Sequence, residues 1–198
     1  MSSKQSILSS LRAQSLPPTP APDLAGDWIR YADPLAQFKS VLEAIGGRCH
    51  LVANLAELND RLAATPELAA AGEVVSLVPG AGRPNVDLAA VEDPHQLQSV
   101  DLAILPGEFG VAENGAVWVT SRGVRHRAIF IIVQRLALVL PQREMLCNMH
   151  QAYARLALGG DDWGAFIAGP SKTADIEQSL VIGAHGPRSL DVFCLAAM

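Results

Sequence analysis

The sequence predicts an α/β domain built on a largely parallel central sheet with helices on both faces. Short apolar runs suited to strands alternate along the chain with stretches whose apolar residues recur at helical spacing. Strands that alternate with helices imply a parallel sheet covered on both sides. The length agrees: 198 residues, 49% hydrophobic and 18% charged, suffice for one domain. Such a chain buries roughly 70% of its unfolded surface and needs no disulfide or metal to hold it together.

The elements follow in order. Ser3–Gln14 reads as a short helix with Ile7, Leu8 and Leu11 on one face. Prolines at 17, 18, 20 and 22 then forbid regular structure, so residues 1–32 read as a helical arm plus proline-rich linker, either a frayed terminus or a helix that docks on a partner. Residues 33–198 read as a single α/β domain. Asp33-Pro34 suits a helix cap followed by its first residue, Leu35, Phe38, Leu42 and Ile45 keep helical spacing, and Gly46-Gly47 ends the run. Strands are predicted at Arg48–Ala53, Glu73–Val78, Asp101–Leu105, Ala116–Ser121, Arg135–Leu140, Ala165–Ala168 and Leu190–Leu195. Helices are predicted after Asn54, from Pro141 through Met145, Met149, Ala152 and Leu156, and over Thr173–Ile182. Ala128–Val133 fits strand or helix.

Several function classes lose support. A net charge of −5 offers no general attraction to nucleic acid. Cys49, Cys147 and Cys194 form no CxxC pair, and His50, His95, His126 and His150 show no ligand spacing, so no metal site is expected. The most apolar stretch, 128–140, is broken by Gln134 and Arg135 and falls short of the ~20 residues a membrane span requires. No apolar signal core follows Met1, and unpaired thiols suit a reducing compartment, so a cytoplasmic location is expected.

Ligands of open α/β sheets gather beyond the carboxyl ends of the strands. This directs attention to the turns at 79–85, 106–115, 169–175 and 185–188. Gly169-Pro-Ser-Lys-Thr-Ala-Asp-Ile-Glu177 follows a strand and enters the predicted helix. There Ser171 or Thr173 caps, Lys172 adds charge, and the helix N-terminus attracts an anion. The lysine does not directly follow the second glycine, so this is no P-loop, and Gly80-Ala-Gly82 lacks the rest of a dinucleotide fingerprint. Gly107–Gly115 holds the turn signal Asn114-Gly115 and places Glu113 at a strand end, as a general base or a solvated surface carboxylate. His185-Gly-Pro precedes the last strand, where a histidine carries a proton, contacts an anion or bonds a loop carbonyl. Arg122, Arg125, His126 and Arg127 form a basic patch that faces solvent, an acidic partner or a carboxylate.

Gly110-Val-Ala-Glu-Asn-Gly115, Gly169–Glu177 and Gly183-Ala-His-Gly-Pro187, in this order and spacing, resemble the lactate-utilization protein C, or LUD-domain, family. The likeness is strong over residues 101–195 and weaker over 33–100. It implies a fold similar to the ribose-phosphate isomerase, glucosamine-phosphate deaminase and CoA-transferase superfamily, which binds small anionic metabolites. It further implies a subunit that supports oxidation of L-lactate to pyruvate, with a small carboxylate as ligand and iron–sulfur proteins as partners. The clusters are expected in those partners and no cofactor in this chain. The family's motif positions fall here on Glu113, Gly115, Ser171, Thr173, Asp175, Glu177, His185 and Gly186, with Glu113 and His185 as the candidate catalytic pair and Lys172 beside them for binding. The superfamily likeness alone leaves a sugar-phosphate isomerase or CoA-transferase open, as well as a structural or regulatory subunit. The residues from Arg122 to Gln134 are more basic and apolar than the family pattern, and the proline linker has no counterpart in it.

Overall fold

In a computed structural model that describes residues 2–14, 19–156, 163–173 and 181–196, the caps read from the sequence act as caps. Asp33 accepts the amide of Ala36 and starts α2 (Pro34–Ala44); Asn54 accepts the amide of Glu57 and starts α3 (Leu55–Ala64). Before them, α1 (Ser3–Ala13) opens on a capping box between Ser2 and Gln5 and buries no residue. A one-turn helix, α4 (Pro66–Ala69), follows α3.

The central sheet is parallel throughout, in the order β1 (Arg48–Val52), β9 (Ser189–Leu195), β6 (Arg135–Pro141), β3 (Leu102–Pro106), β2 (Val74–Ser76). Strand alternation sorts its side chains onto two faces. Ile104, Val139, Phe193 and Leu195 pack under α3 and α4 with Leu58, Leu62 and Leu68. Ala103, Leu105, Leu136, Leu138 and Val192 face the opposite way, toward Phe38 and Leu42 of α2 and the short helix α5 (Ile129–Ile132). That second face is also covered by a smaller sheet in the order β7 (Met145–Leu146), β4 (Phe109–Val111), β5 (Ala116–Thr120), β8 (Gly164–Ile167). Its outer side holds Phe109, Trp118 and Phe166 against α6 (Met149–Arg155).

Two helices expected from the sequence are corrected. The chain does not turn helical at Pro141: β6 runs through it, β7 pairs with β4, and α6 begins only at Met149, where Asn148 accepts the amide of Gln151. Methionine at 145 keeps helical spacing with 149, but Gly110 leaves room for its sulfur beside β4 and the strand pairing wins. Of the helix expected over Thr173–Ile182, the described ends Thr173, Val181 and Ile182 are not helical, and residues 174–180 lie outside the described residues. Lys172 and Ile182 form an antiparallel bridge, and the Thr173 amide donates to the Val181 carbonyl at 3.1 Å. Asp175 and Glu177 lie outside the described residues.

Candidate functional site

Gly169 leaves β8 with a φ of 72°, so the chain turns against the end of α2: an added Cβ would lie 3.0 Å from the Ile45 carbonyl oxygen. Buried Gly169 and Pro170 carry Ser171 to the turn before β9. The Ser171 amide donates to the Pro187 carbonyl at 2.9 Å, and its carbonyl accepts the Gly183 amide at 2.9 Å. Gly186 leaves space that Ser171 fills; a Cβ there would meet the serine's Cβ at 3.0 Å and Oγ at 3.3 Å. Two of the three motifs thus form one platform, with Ser171, Thr173, Gly186 and His185 on it.

His185 is exposed and lines a cleft of about 500 Å³ with Ile131, Ile132, Gln134 and Arg188. The Arg188 amide donates to the Gln134 carbonyl at 2.8 Å, which ties the cleft's two walls together. This cleft opens where β6 and β9 begin. The platform therefore stands at the amino-terminal edge of the parallel sheet, not at the carboxyl edge the general rule pointed to.

The charged motif residues are held by helix ends. Lys172 Nζ donates to the carbonyl of Ile45, the C-cap of α2, where the helix dipole is negative. Glu113 Oε2 accepts the amide of Met149, the first residue of α6, at 2.8 Å. The Glu113 hairpin touches α2 as well: Gly115, at φ 68°, backs onto Leu42 so closely that a Cβ would lie 2.9 Å from its amide nitrogen. Leu42 and Ile45 are a helical turn apart, so the hairpin and the Lys172 segment flank neighbouring levels of one helix. The Glu113 carboxylate bonds the first amide of α6, however, while His185 lines the cleft beside α5.

Two members of the basic patch are anchored through neutral groups, while Arg122 lies 3.7 Å from Glu108. Arg125 donates to the carbonyl of Ala89, and His126 Nε2 lies 2.8 Å from that of Val91. Among the described residues no group of three or more His, Cys, Asp or Glu side chains could hold a metal ion. No helix among them is long and apolar enough to cross a membrane.

One polar constellation was not anticipated. Asp191, fully buried in β9, accepts two 2.7 Å hydrogen bonds from Arg48 and lies 2.8 Å from His50 Nε2. Burial would raise its carboxyl, but the bonds from His50 and Arg48 outweigh that and hold it below the ordinary carboxylate value. The signal lay in an aspartate inside an apolar strand, and in polar residues at 48 and 50 on one strand face.

Comparison with known proteins fits this architecture. The LUD domain family model matches residues 81–195. Lactate utilization protein C of Geobacillus kaustophilus is 32% identical over 115 residues, 55% of this chain and 45% of that one. The protein of the same name from Shouchella clausii is 32% identical over 114 residues, 53% of this chain and 50% of that one. The chain thus spans about half the length of these curated relatives. The crystal structure of a DUF162 family protein from Deinococcus radiodurans superposes with a TM-score of 0.57 at 18% identity, covering 83% of this chain and 97% of that one, and so shares the fold.

Proposed function

The chain belongs to the LUD domain family, and on that premise we propose that it is a subunit of an L-lactate utilization system that supports oxidation of L-lactate to pyruvate with iron–sulfur partner proteins. The names of the relatives support the substrate. The observation that carries the site is the Ser171–Pro187 backbone bond, which joins two motifs beside the His185 cleft. In this reading the cleft takes the lactate carboxylate against Arg188 and Gln134, beside the apolar side chain of Ile132. Oxidation removes two electrons and two protons from lactate. His185, which lines the cleft, would accept the hydroxyl proton, while the Cα hydrogen would leave with two electrons as a hydride equivalent to an acceptor on the partner proteins, whose clusters would carry the electrons onward. Glu113 serves this reaction indirectly, by fixing α6 behind the hairpin.

Growth on L-lactate as sole carbon source tests the reading. In a strain lacking its own copy, His185→Ala and Arg188→Ala chains that fold normally should fail to support growth on lactate while leaving growth on glucose intact. Normal growth of both on lactate would sink it.

A second reading, a structural subunit without chemistry of its own, draws on the fact that Glu113 and Lys172 each serve a helix end. It requires that Ser171, His185 and Arg188 variants retain full growth, and that the isolated chain shows no thermal shift with lactate, pyruvate, sugar phosphates or CoA.

A further inference from the structure

Two clefts meet at Ala128. One, of about 460 Å³, is lined by Pro94, Ser121, Val124 and the run Arg125–Arg127. The other is the His185 cleft, which ends on Arg188. Neither lining contains an aspartate or glutamate among the described residues, although the chain as a whole is acidic at −5. Arg122 stands on the same loop with its side chain 75% exposed and Glu108 3.7 Å away. Of the carboxylates next to Pro94, Asp93 is engaged by His95 at 2.7 Å and Glu92 is exposed. The bonds of Arg125 and His126 to carbonyls fix the strip without neutralising it. Midway along the trough Ile131 is 52% exposed.

We propose that this trough, from Pro94 past Ala128 to Arg188, is a docking groove for an extended acidic segment of a partner protein, with an apolar side chain of that segment seated on Ile131. A single small anion would satisfy one end and leave Ile131 in water. Exposed arginines around an apolar centre are the composition of protein interfaces, where the apolar contact anchors and the charges select. An acidic partner is repelled by most of this chain and attracted here, so the groove sets its orientation as well as its encounter rate. The groove shares its Arg188 end with the cleft of the lactate reading but does not rest on that reading: a docked segment and a small carboxylate would compete for Arg188, and the peptide test is run without lactate.

Fluorescence anisotropy on the full chain tests it, with a fluorescein-labelled peptide, Glu-Glu-Leu-Glu-Glu-Leu-Glu, as probe and its lysine-for-glutamate analogue as control. Saturable binding of the acidic peptide alone is expected, weakening at least tenfold between about 50 and 300 mM salt as screening grows. The pair Arg122→Glu/Arg127→Glu should weaken it at least fivefold, and Ile131→Asp likewise. Arg143→Glu, on an exposed arginine outside the trough, should change it less than twofold. All these side chains are exposed, and circular dichroism verifies that each variant is folded. Absent or non-saturable binding, or equal weakening by Arg143→Glu, overturns the proposal. So does an Ile131→Asp variant that binds normally while inorganic pyrophosphate displaces the peptide, since that outcome describes a small-anion site.

Discussion

Arg48 and Asp191 stand opposite each other in parallel register across β1 and β9, and the guanidinium grips the carboxylate with two 2.7 Å hydrogen bonds on a face covered by α3 and α4. The carboxylate has no exposure, whereas Arg48 keeps 39% of its side chain in solvent. Removing the acid therefore strands a charge that water partly reaches. Asp191→Asn is expected to cost about 2–4 kcal/mol, below the upper range for breaking a fully buried pair, or roughly 5–15 °C in Tm. Because the folded carboxyl is held below its ordinary value of about 3.9, its contribution is complete above that pH. It disappears as pH falls through the folded value. Thermal melts of both proteins from pH 7 to 3 should show the gap narrowing in acid; a constant gap would contradict the account.

Lys172 and Glu113 lead to an opposite expectation from the one their charge invites. Each neutralises a helix terminus: Lys172 the C-terminal end of α2, Glu113 the N-terminal end of α6. Lys172→Met and Glu113→Gln should each lose about 0.5–2 kcal/mol of stability. In denaturant titrations the midpoint falls while the slope stays unchanged. Loss of lactate growth in either variant at full stability would return these side chains to the chemistry.

This pair also explains how much the sequence could disclose. The alternation of strands and helices, the caps at Asp33 and Asn54, and the strands around Leu102–Pro106 and Ser189–Leu195 were legible because they rest on local periodicity and local hydrogen bonding. The motif turns were legible as positions, through their glycines, but not as roles. A lysine after Gly-Pro-Ser signals an anion site, whereas its partner is a carbonyl 127 residues away in sequence. Long-range pairing likewise overrode the helical spacing of Met145 and Met149, and hid the triad of Arg48, His50 and Asp191, whose members come from strands 141 or more residues apart. The amino-edge placement of the platform could not be read either, since it depends on β8 delivering Gly169 to α2.

Gly115 is expected to resist substitution. Its φ of 68° disfavours any L side chain, and an added Cβ would press on the Leu42 amide nitrogen at 2.9 Å and Cα at 3.0 Å, which are backbone atoms of a packed helix. Gly115→Ala therefore combines about 1–2 kcal/mol of conformational cost with displacement of α2 from the hairpin. Gly123 provides the control: it has a φ of 72° with nothing within 4 Å of a built Cβ. Gly123→Ala should lose the conformational part alone, so its melting temperature should lie clearly above that of Gly115→Ala. Equal losses would mean that contact with α2 contributes nothing.

Cys49 and Cys194 bring their sulfurs to 3.9 Å in the core, close enough to invite a disulfide. The register argues against one. Cys49 pairs with Val192 and Cys194 with Leu51, so the cysteines are offset by two positions on neighbouring parallel strands. At about 3.3 Å per residue and ~4.8 Å between strands, their Cα atoms stand roughly 8 Å apart. That exceeds the ~7 Å beyond which a bridge needs backbone movement, and movement here would break the β1–β9 ladder. The hydrogen bond between the two sulfurs pushes the Cys194 thiol up and the Cys49 thiol down, so the strand geometry, not the titration of the pair, is what opposes the bridge. Treatment of the native protein with diamide, followed by alkylation in denaturant and mass spectrometry, should recover both cysteines unlinked. A Cys49–Cys194 bridge formed in the native protein, at a rate matching that of exposed thiols, would show that this edge of the sheet opens far more readily than its packing implies.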